Sequence, residues 1–185
     1  MDPKVKWNTK YNERLAQQEE PVANSRLKNL STYLNGGKAL DIACGLGGNS
    51  VFLARKNYQV QALDISEVAV SYLTDQALKQ KLTIDPQVCD LTSSADRKKH
   101  LDTYDLIVIT YYLDRTLFPL LKKVVNKNGY FFMETYYQSP QTVNESISNY
   151  YKLKPKELLT VFSDWKVLYY EENEQEGRQT IFCQK

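Results

Sequence analysis

The sequence predicts an α/β chain built on a mostly parallel sheet, and three observations lead there. Strand-like and helix-like patterns alternate between residues 38 and 135, which calls for parallel strands joined by right-handed helical crossovers. Five of the seven glycines lie between positions 36 and 48, around the first strand pattern. Glycine gathers where backbone must turn sharply or approach a ligand closely. Two strand patterns end the chain, 165–171 and 178–184, separated only by ENEQEG. That connection is too short for a parallel crossover, so the last two strands should pair antiparallel.

Each element follows in order. Residues 8–20 (NTKYNERLAQQEE) read as a polar helix stopped by Pro21. A second helix covers about 24–34, with Leu27, Leu30 and Leu34 on one face and Gly36 and Gly37 at its end. Residues 38–43 (KALDIA) form the first strand, and the glycine loop leads into a helix over 49–56. Residues 58–63 are the second strand, Ser66 caps a helix running to about 81, and 83–88 are the third strand. The segment 104–110 (YDLIVIT) is the most apolar and suits a central strand covered on both faces. Leu117, Leu120, Leu121, Val124 and Val125 make a helical face before the turn Asn128-Gly129, and 130–135 form the fifth strand. Residues 136–155 lack periodicity, and so long an irregular stretch reads as a substrate loop. Without repeats or a low-complexity linker, a single domain over 1–185 is expected, with 1–35 as a helical lid.

Composition excludes several function classes. The 24 Lys+Arg against 22 Asp+Glu leave a net charge of +2, too little to draw nucleic acid or anionic membrane. No run of about 18 apolar residues exists, and no apolar leader opens the chain. The cysteines at 44, 89 and 183 have neither disulfide nor zinc spacing, so a reducing, cytoplasmic location is expected and no metal is. His100 is the only histidine, which leaves nothing for a Ser-His-Asp triad or a multi-His metal site. In the run ADRKKH it reads as solvated surface.

The chemistry lies in 39–49, ALDIACGLGGN. A glycine loop between a first strand and a helix is a ligand loop in open α/β folds. A dinucleotide fingerprint would put glycine at 50, where Ser50 stands. Asp41 at the strand end would repel a pyrophosphate and welcome an ammonium. Asp64 ends the second strand 19 residues after Gly45, the spacing at which an acid accepts from ribose hydroxyls. Asp90 after the third strand suits an adenine amino group, with Ile65 and Leu91 against the ring. Ammonium, ribose and adenine without phosphates describe S-adenosyl-L-methionine (SAM) better than NAD or ATP. The expected cofactor residues are Trp7, Tyr11, Asp41, Ala43, Gly45, Gly47, Asn49, Asp64, Ile65, Asp90, Leu91, Thr110 and Tyr111.

On these residues the chain resembles the class I SAM-dependent methyltransferases: DIACGLGGN is similar to their first motif, LDIS to the ribose motif and CDL to the adenine motif. WNTKY, YYLDR, NGYFFMETYY and NYYKLKPKELL with LYYEE resemble the tellurite-resistance type of small-molecule methyltransferase. The resemblance implies a Rossmann-like, seven-stranded, mostly parallel sheet with an antiparallel last strand and helices on both faces. It also implies methyl transfer to a small-molecule nucleophile, such as a thiol or a chalcogen oxyanion.

Displacement at a sulfonium needs positioning and exclusion of water more than acid–base help. Tyr111, Tyr11 and Arg115 are the expected catalytic residues. Tyr112, Tyr136, Tyr137 and Arg178 are further candidates, with Asp114 or Glu134 as base should the acceptor be an amine. The expected partner is a small molecule, without membrane or nucleic acid, acting on a monomer or homodimer. An RNA or protein methyltransferase, a non-catalytic SAM-binding protein and a nucleotide-dependent dehydrogenase are the competing readings.

Overall fold

A computed structural model describes residues 2–100, 102–141 and 147–185. Residues 142–146 of the expected substrate loop lie outside the described residues. The chain divides into two compact units, Met1–Asp102 and Thr103–Lys185.

In the first unit, helix α1 (Pro3–Ala16) begins five residues before the expected start at 8. The reason is local: Asp2 Oδ1 accepts from the amides of Lys4 and Val5, and Pro3 occupies the first turn. The helix expected over 24–34 is split into α2 (Ser25–Asn29) and a 3-10 turn (Ser31–Tyr33). Asn29, Ser31 and Thr32 are weak helix formers, and the chain tightens there. Strand β1 (Gly37–Ile42), helix α3 (Gly48–Ala54), strand β2 (Tyr58–Asp64), helix α4 (Glu67–Gln80) and strand β3 (Ile84–Val88) follow in βαβ order. Ser66 caps α4 as expected, its Oγ accepting from Ala69 N. The strands run parallel in the order β3-β2-β1, with Asp41 opposite Ala62 and Asp64 opposite Val88. Both acids therefore stand at the carboxyl ends of adjacent strands.

The charged run after residue 92 corrects the sequence reading. Ser93 caps a short helix α5 (Ser94–Lys99). His100 closes it half-buried, its Nδ1 3.0 Å from Gln61 Nε2. Partly buried and in contact with Gln61, His100 is less solvated than expected, and burial holds its pKa below the usual value.

The second unit contains strand β4 (Tyr104–Thr110), helix α6 (Phe118–Val124), strand β5 (Val125–Tyr136), helix α7 (Glu157–Val161), and strands β6 (Lys166–Asn173) and β7 (Arg178–Gln184). The order is β4-β5-β7-β6. β4 and β5 are parallel, and β7 runs antiparallel to both β5 and β6. β5 starts five residues earlier than expected. Asn128 at φ 64° does not end the strand, because an irregularity between Tyr104 and Leu106 absorbs it. Asn126 Nδ2 donates to Asp105 Oδ1 there at 2.8 Å. The core is aromatic: Phe131, Phe162 and Phe182 are fully buried, and the rings of Phe131 and Phe162 stack at 4.5 Å. Helix α7 has too few residues to show a period, and the sequence reading missed it. The strand complement, mostly parallel with an antiparallel last strand, is the expected one. Among the described residues, no helix is long and apolar enough to cross a membrane.

Candidate active site

The first unit gathers candidate residues around the end of β1. Ala43, Gly45 and Gly47 all adopt left-handed backbone, at φ 55°, 54° and 83°. Cys44 N donates to Leu63 O and Gly47 N to Cys44 O, so the loop is pinned to β2 while it winds into α3. Three of its glycines are closely packed: a Cβ on Gly47 would stand 2.3 Å from Leu73 Cδ1. A Cβ on Gly45 would stand 2.8 Å from the Tyr11 hydroxyl, and one on Gly48 would stand 2.4 Å from the Val22 carbonyl.

Asp41 is fully buried at the strand end. Its Oδ2 accepts from the Ser50 hydroxyl at 2.6 Å, and its Oδ1 has no hydrogen-bond partner. Burial raises its pKa to about 7, with the Ser50 bond opposing and the Asp64 charge adding. Asp64, also buried, accepts from Gly45 N at 2.8 Å and from Ser66 N at 2.9 Å. Burial pushes its pKa up while those amides pull it down. Sequence reasoning treated Ser50 only as a missing glycine. Its place in the first turn of α3, facing the strand end, was the available signal.

Helix α1 lies against this loop. Tyr11 is buried in a cluster with Leu46 and Ala69, and Trp7 stacks on it at 5.7 Å. Burial first and the Asp64 charge second hold the Tyr11 proton far above the usual phenol range. Asn8, which sequence reasoning passed over, fastens the helix: its Oδ1 accepts from the Ser66 hydroxyl at 2.7 Å and from Val68 N. Asn49 Oδ1 accepts from Asn24 N at 2.8 Å and so holds the segment after α1. Asp90 Oδ1 caps its own turn through the Thr92 amide and hydroxyl; Leu91 is buried and Ile65 half-buried. Tyr11, Asp41, Gly45 and Asp64 are thus gathered in one cluster.

Thr110, Tyr111 and Arg115 belong to the second unit. Thr110 ends β4 opposite Glu134. Tyr111 follows at φ 57°, left-handed for a bulky residue, and its hydroxyl donates to Glu134 Oε1 at 2.8 Å. The Tyr136 ring lies 5.6 Å away, and Tyr137 is buried. Arg115 forks onto Glu157 (2.6 and 2.9 Å) and also donates to the carbonyls of Tyr150 and Lys152. Its guanidinium clasps the 150–157 stretch.

The model of the family described as tellurite resistance protein TehB matches residues 7–181. The chain belongs to the TehB family. It is similar to the probable S-adenosyl-L-methionine-dependent methyltransferase TehB of Haemophilus influenzae, 27% identical over 147 residues, which are 77% of this chain and 51% of that protein. It is also similar to phosphoethanolamine N-methyltransferase 1 of Arabidopsis thaliana, 27% identical over 66% of this chain and 26% of that one. This chain therefore spans about half of the length of the first relative and about a quarter of the second. The crystal structure of TehB from Haemophilus influenzae superposes with a TM-score of 0.77 at 22% identity, covering 88% of this chain and 62% of that one. The fold is that of the Rossmann-like methyltransferases: seven strands, mostly parallel, with antiparallel pairing at the last strand.

Proposed function

We propose that the chain binds SAM and transfers its methyl group to a small-molecule nucleophile. The observation that carries this reading is Asp41 Oδ1, a fully buried carboxylate oxygen with no partner, beside a loop of left-handed residues. A buried acid in that state wants a hydrogen-bonded cation, and an amino acid's ammonium supplies one. A carboxylate has about four acceptor positions, so Asp64 retains capacity for two ribose hydroxyls after accepting from Gly45 and Ser66. Ile65 and Leu91 offer apolar faces to adenine, and Asp90 an acceptor for its amino group. Left-handed Gly45 and Gly47 leave the loop backbone beside the ligand without side chains, and Ala43 adds only a methyl.

When bound, the sulfonium supplies an already activated methyl. The protein's share is to orient the acceptor and to exclude water. Tyr11 and Trp7 shield the loop from α1, and aromatic faces favour a nearby sulfonium by about 0.5–2 kcal/mol per contact. Tyr111 presents a hydroxyl to the acceptor, and Arg115 fixes the stretch that follows residue 149. The family description, which names tellurite, supports a chalcogen oxyanion as acceptor, and the plant relatives' name supports an amine.

Calorimetry tests the cofactor. SAM and its demethylated product should bind the wild-type chain, NADH should not, and Asp64→Ala should weaken SAM roughly 10–100-fold. Unchanged affinity in that variant, or tight NADH binding, would overturn the reading. A SAM-consumption screen over thiols, selenite, tellurite, phenols and amines then identifies the acceptor.

A further inference from the structure

Glu134 is a fully buried acid in the middle of a sheet. It lies opposite Thr110 on β4 and opposite Thr180 on β7. Its Oε1 accepts the Tyr111 hydroxyl at 2.8 Å, and its Oε2 accepts the Thr180 hydroxyl at 2.9 Å. Arg178 Nη1 lies 3.6 Å from Oε1, and the guanidinium sits over the Tyr111 ring at 5.2 Å. The backbone is arranged to the same end. Tyr111 N donates to Glu134 O, and Tyr111 takes a left-handed conformation that bulky side chains rarely adopt. Such strain persists where the surroundings over-determine it, and it clusters at functional sites. Packing alone does not call for this set, since Tyr111 keeps 44% of its surface exposed while its hydroxyl points at a buried acid.

We propose that Tyr111 and Glu134 form a proton relay that serves a protic methyl acceptor, with the Tyr111 oxygen receiving the acceptor's proton and the Glu134 carboxylate taking the tyrosine's. This rests on the methyl-transfer reading above and names its substrate class: an alkyl thiol, a phenol or an amine that still carries its proton at neutral pH. With its own hydrogen directed to Glu134, the Tyr111 oxygen has lone pairs left to accept from the acceptor's H–X group. In the transfer, the H–X bond breaks as the X–CH3 bond forms, and the electron pair of the broken methyl–sulfur bond stays on sulfur. The acceptor's proton moves to Tyr111 Oη, the tyrosine proton moves to Glu134 Oε1, and solvent later receives it from the carboxylic acid. No oxidant or further reactant is needed. Burial, and after it the Glu134 charge, keep the Tyr111 proton well above the usual phenol range. The phenol thus passes a proton along and does not act as a standing phenolate. Tyr111 is the catalytic residue and Glu134 the positioning residue and sink. The charged and titratable groups facing Tyr111 are Glu134 and Tyr136 from β5 and Arg178 from β7, and Glu176 holds Arg178 Nη1 at 3.4 Å.

Two thiols separate a relay from a structural role. 2-Mercaptoethanol keeps its proton at pH 7, whereas the far more acidic 4-nitrothiophenol is already a thiolate. Glu134→Gln and Tyr111→Phe are expected to lower kcat on 2-mercaptoethanol by roughly 10²–10⁴-fold. On 4-nitrothiophenol the loss in each variant should be at least tenfold smaller than on 2-mercaptoethanol. The deficit should close as pH rises through the alkyl thiol's own ionisation. In the chain without cofactor, the Tyr111 ring-carbon resonance, identified by its loss in Tyr111→Phe, should titrate at lower pH in Glu134→Gln. Equal losses on both thiols, no loss on either, or an unmoved titration would overturn the relay. So would a wild-type chain that binds SAM yet methylates neither 2-mercaptoethanol, ethanolamine nor phenol. A wild-type chain that fails to bind SAM would instead remove the methyl-transfer reading, and the relay with it. Should Glu134→Gln not fold, Tyr111→Phe carries the two-thiol comparison.

Discussion

Asp41 makes opposite demands on folding and on binding. Its folded pKa, raised to about 7 by burial, lies above the usual carboxylate value. The stability it contributes is therefore fully present below the ordinary carboxylate pKa and is lost as pH rises through about 7. Asp41→Asn can keep the Ser50 bond without burying a charge. Its melting temperature relative to wild type should increase between pH 5 and pH 8, as thermal denaturation without ligand would show. Cofactor binding follows the other sign. An ammonium needs the ionised form, so SAM affinity of the wild-type chain should rise with pH up to about 7 and then level. Calorimetry in buffers of different ionisation enthalpy should detect proton release below that point. The Asn variant should bind weakly, by about 1.5–3 kcal/mol, and without the pH slope. A flat profile in the wild type would sink the ammonium assignment. The backbone beside this acid is as tightly specified. Gly48→Ala would press a methyl to 2.4 Å from the Val22 carbonyl, an overpacking that should cost about 1–3 kcal/mol in a denaturant titration. Asp41, Gly45 and Asp64 were legible in the sequence because strand ends and glycines mark them. Ser50 and the Glu134–Thr180 pair were not. Residues 46 apart meet only through strand order, which no local pattern encodes.

Helix α1 is held to the first unit by a few identifiable contacts. Asn8 reaches the start of α4, Lys4 pairs with Glu67 at 2.5 Å, and Tyr11 fills the space above Gly45. Asn8→Ala should lower stability by roughly 0.5–1.5 kcal/mol for the hydroxyl bond it loses. Removing residues 1–20 should weaken SAM binding while the rest of the chain keeps its fold. Full affinity in that truncation, read by calorimetry, would refute the lid. In the second unit, Arg115 and Glu157 clasp a stretch with little regular structure. Arg115→Ala should open the 148–157 segment to limited proteolysis several-fold faster, with the cleavage sites located by mass spectrometry. Helix existence was legible for α1 and α4, whose length and caps speak clearly. The start of α1 was misjudged because Asp2-Pro3 is a capping signal, not a periodic one. Helices α5 and α7, of six and five residues, are shorter than two turns, and only Ser93 with Asp96 three residues on announced the former. The early start of β5 was hidden because Asn128-Gly129 reads as a turn, whereas a local irregularity in the ladder accommodates it.

For the molecule as a whole, ligand and fold are linked by mass action. At a hundredfold excess of SAM over its Kd, the chain should gain about 2.7 kcal/mol of stability. For a protein of this size that raises Tm by about 5–11 °C, which a thermal-shift measurement would read directly. NADH at the same concentration should leave Tm where it was. The order of the strands also has a consequence for synthesis. β7 is the seventh strand to be translated, yet it lies between β5 and β6 and pairs with both. On the ribosome, β6 emerges with no neighbour to pair with, and the flank of β5 that β7 will cover stays bare. The parallel set β1, β2 and β3 faces no such wait within its own unit. A force-profile measurement on stalled nascent chains should therefore show the β5-β7-β6 portion pulling only after residue 184 has cleared the exit tunnel. Until then its Tyr, Phe and Val side chains are the nascent chain's exposed sticky surface, and a chaperone that holds this protein during translation should be found on that segment.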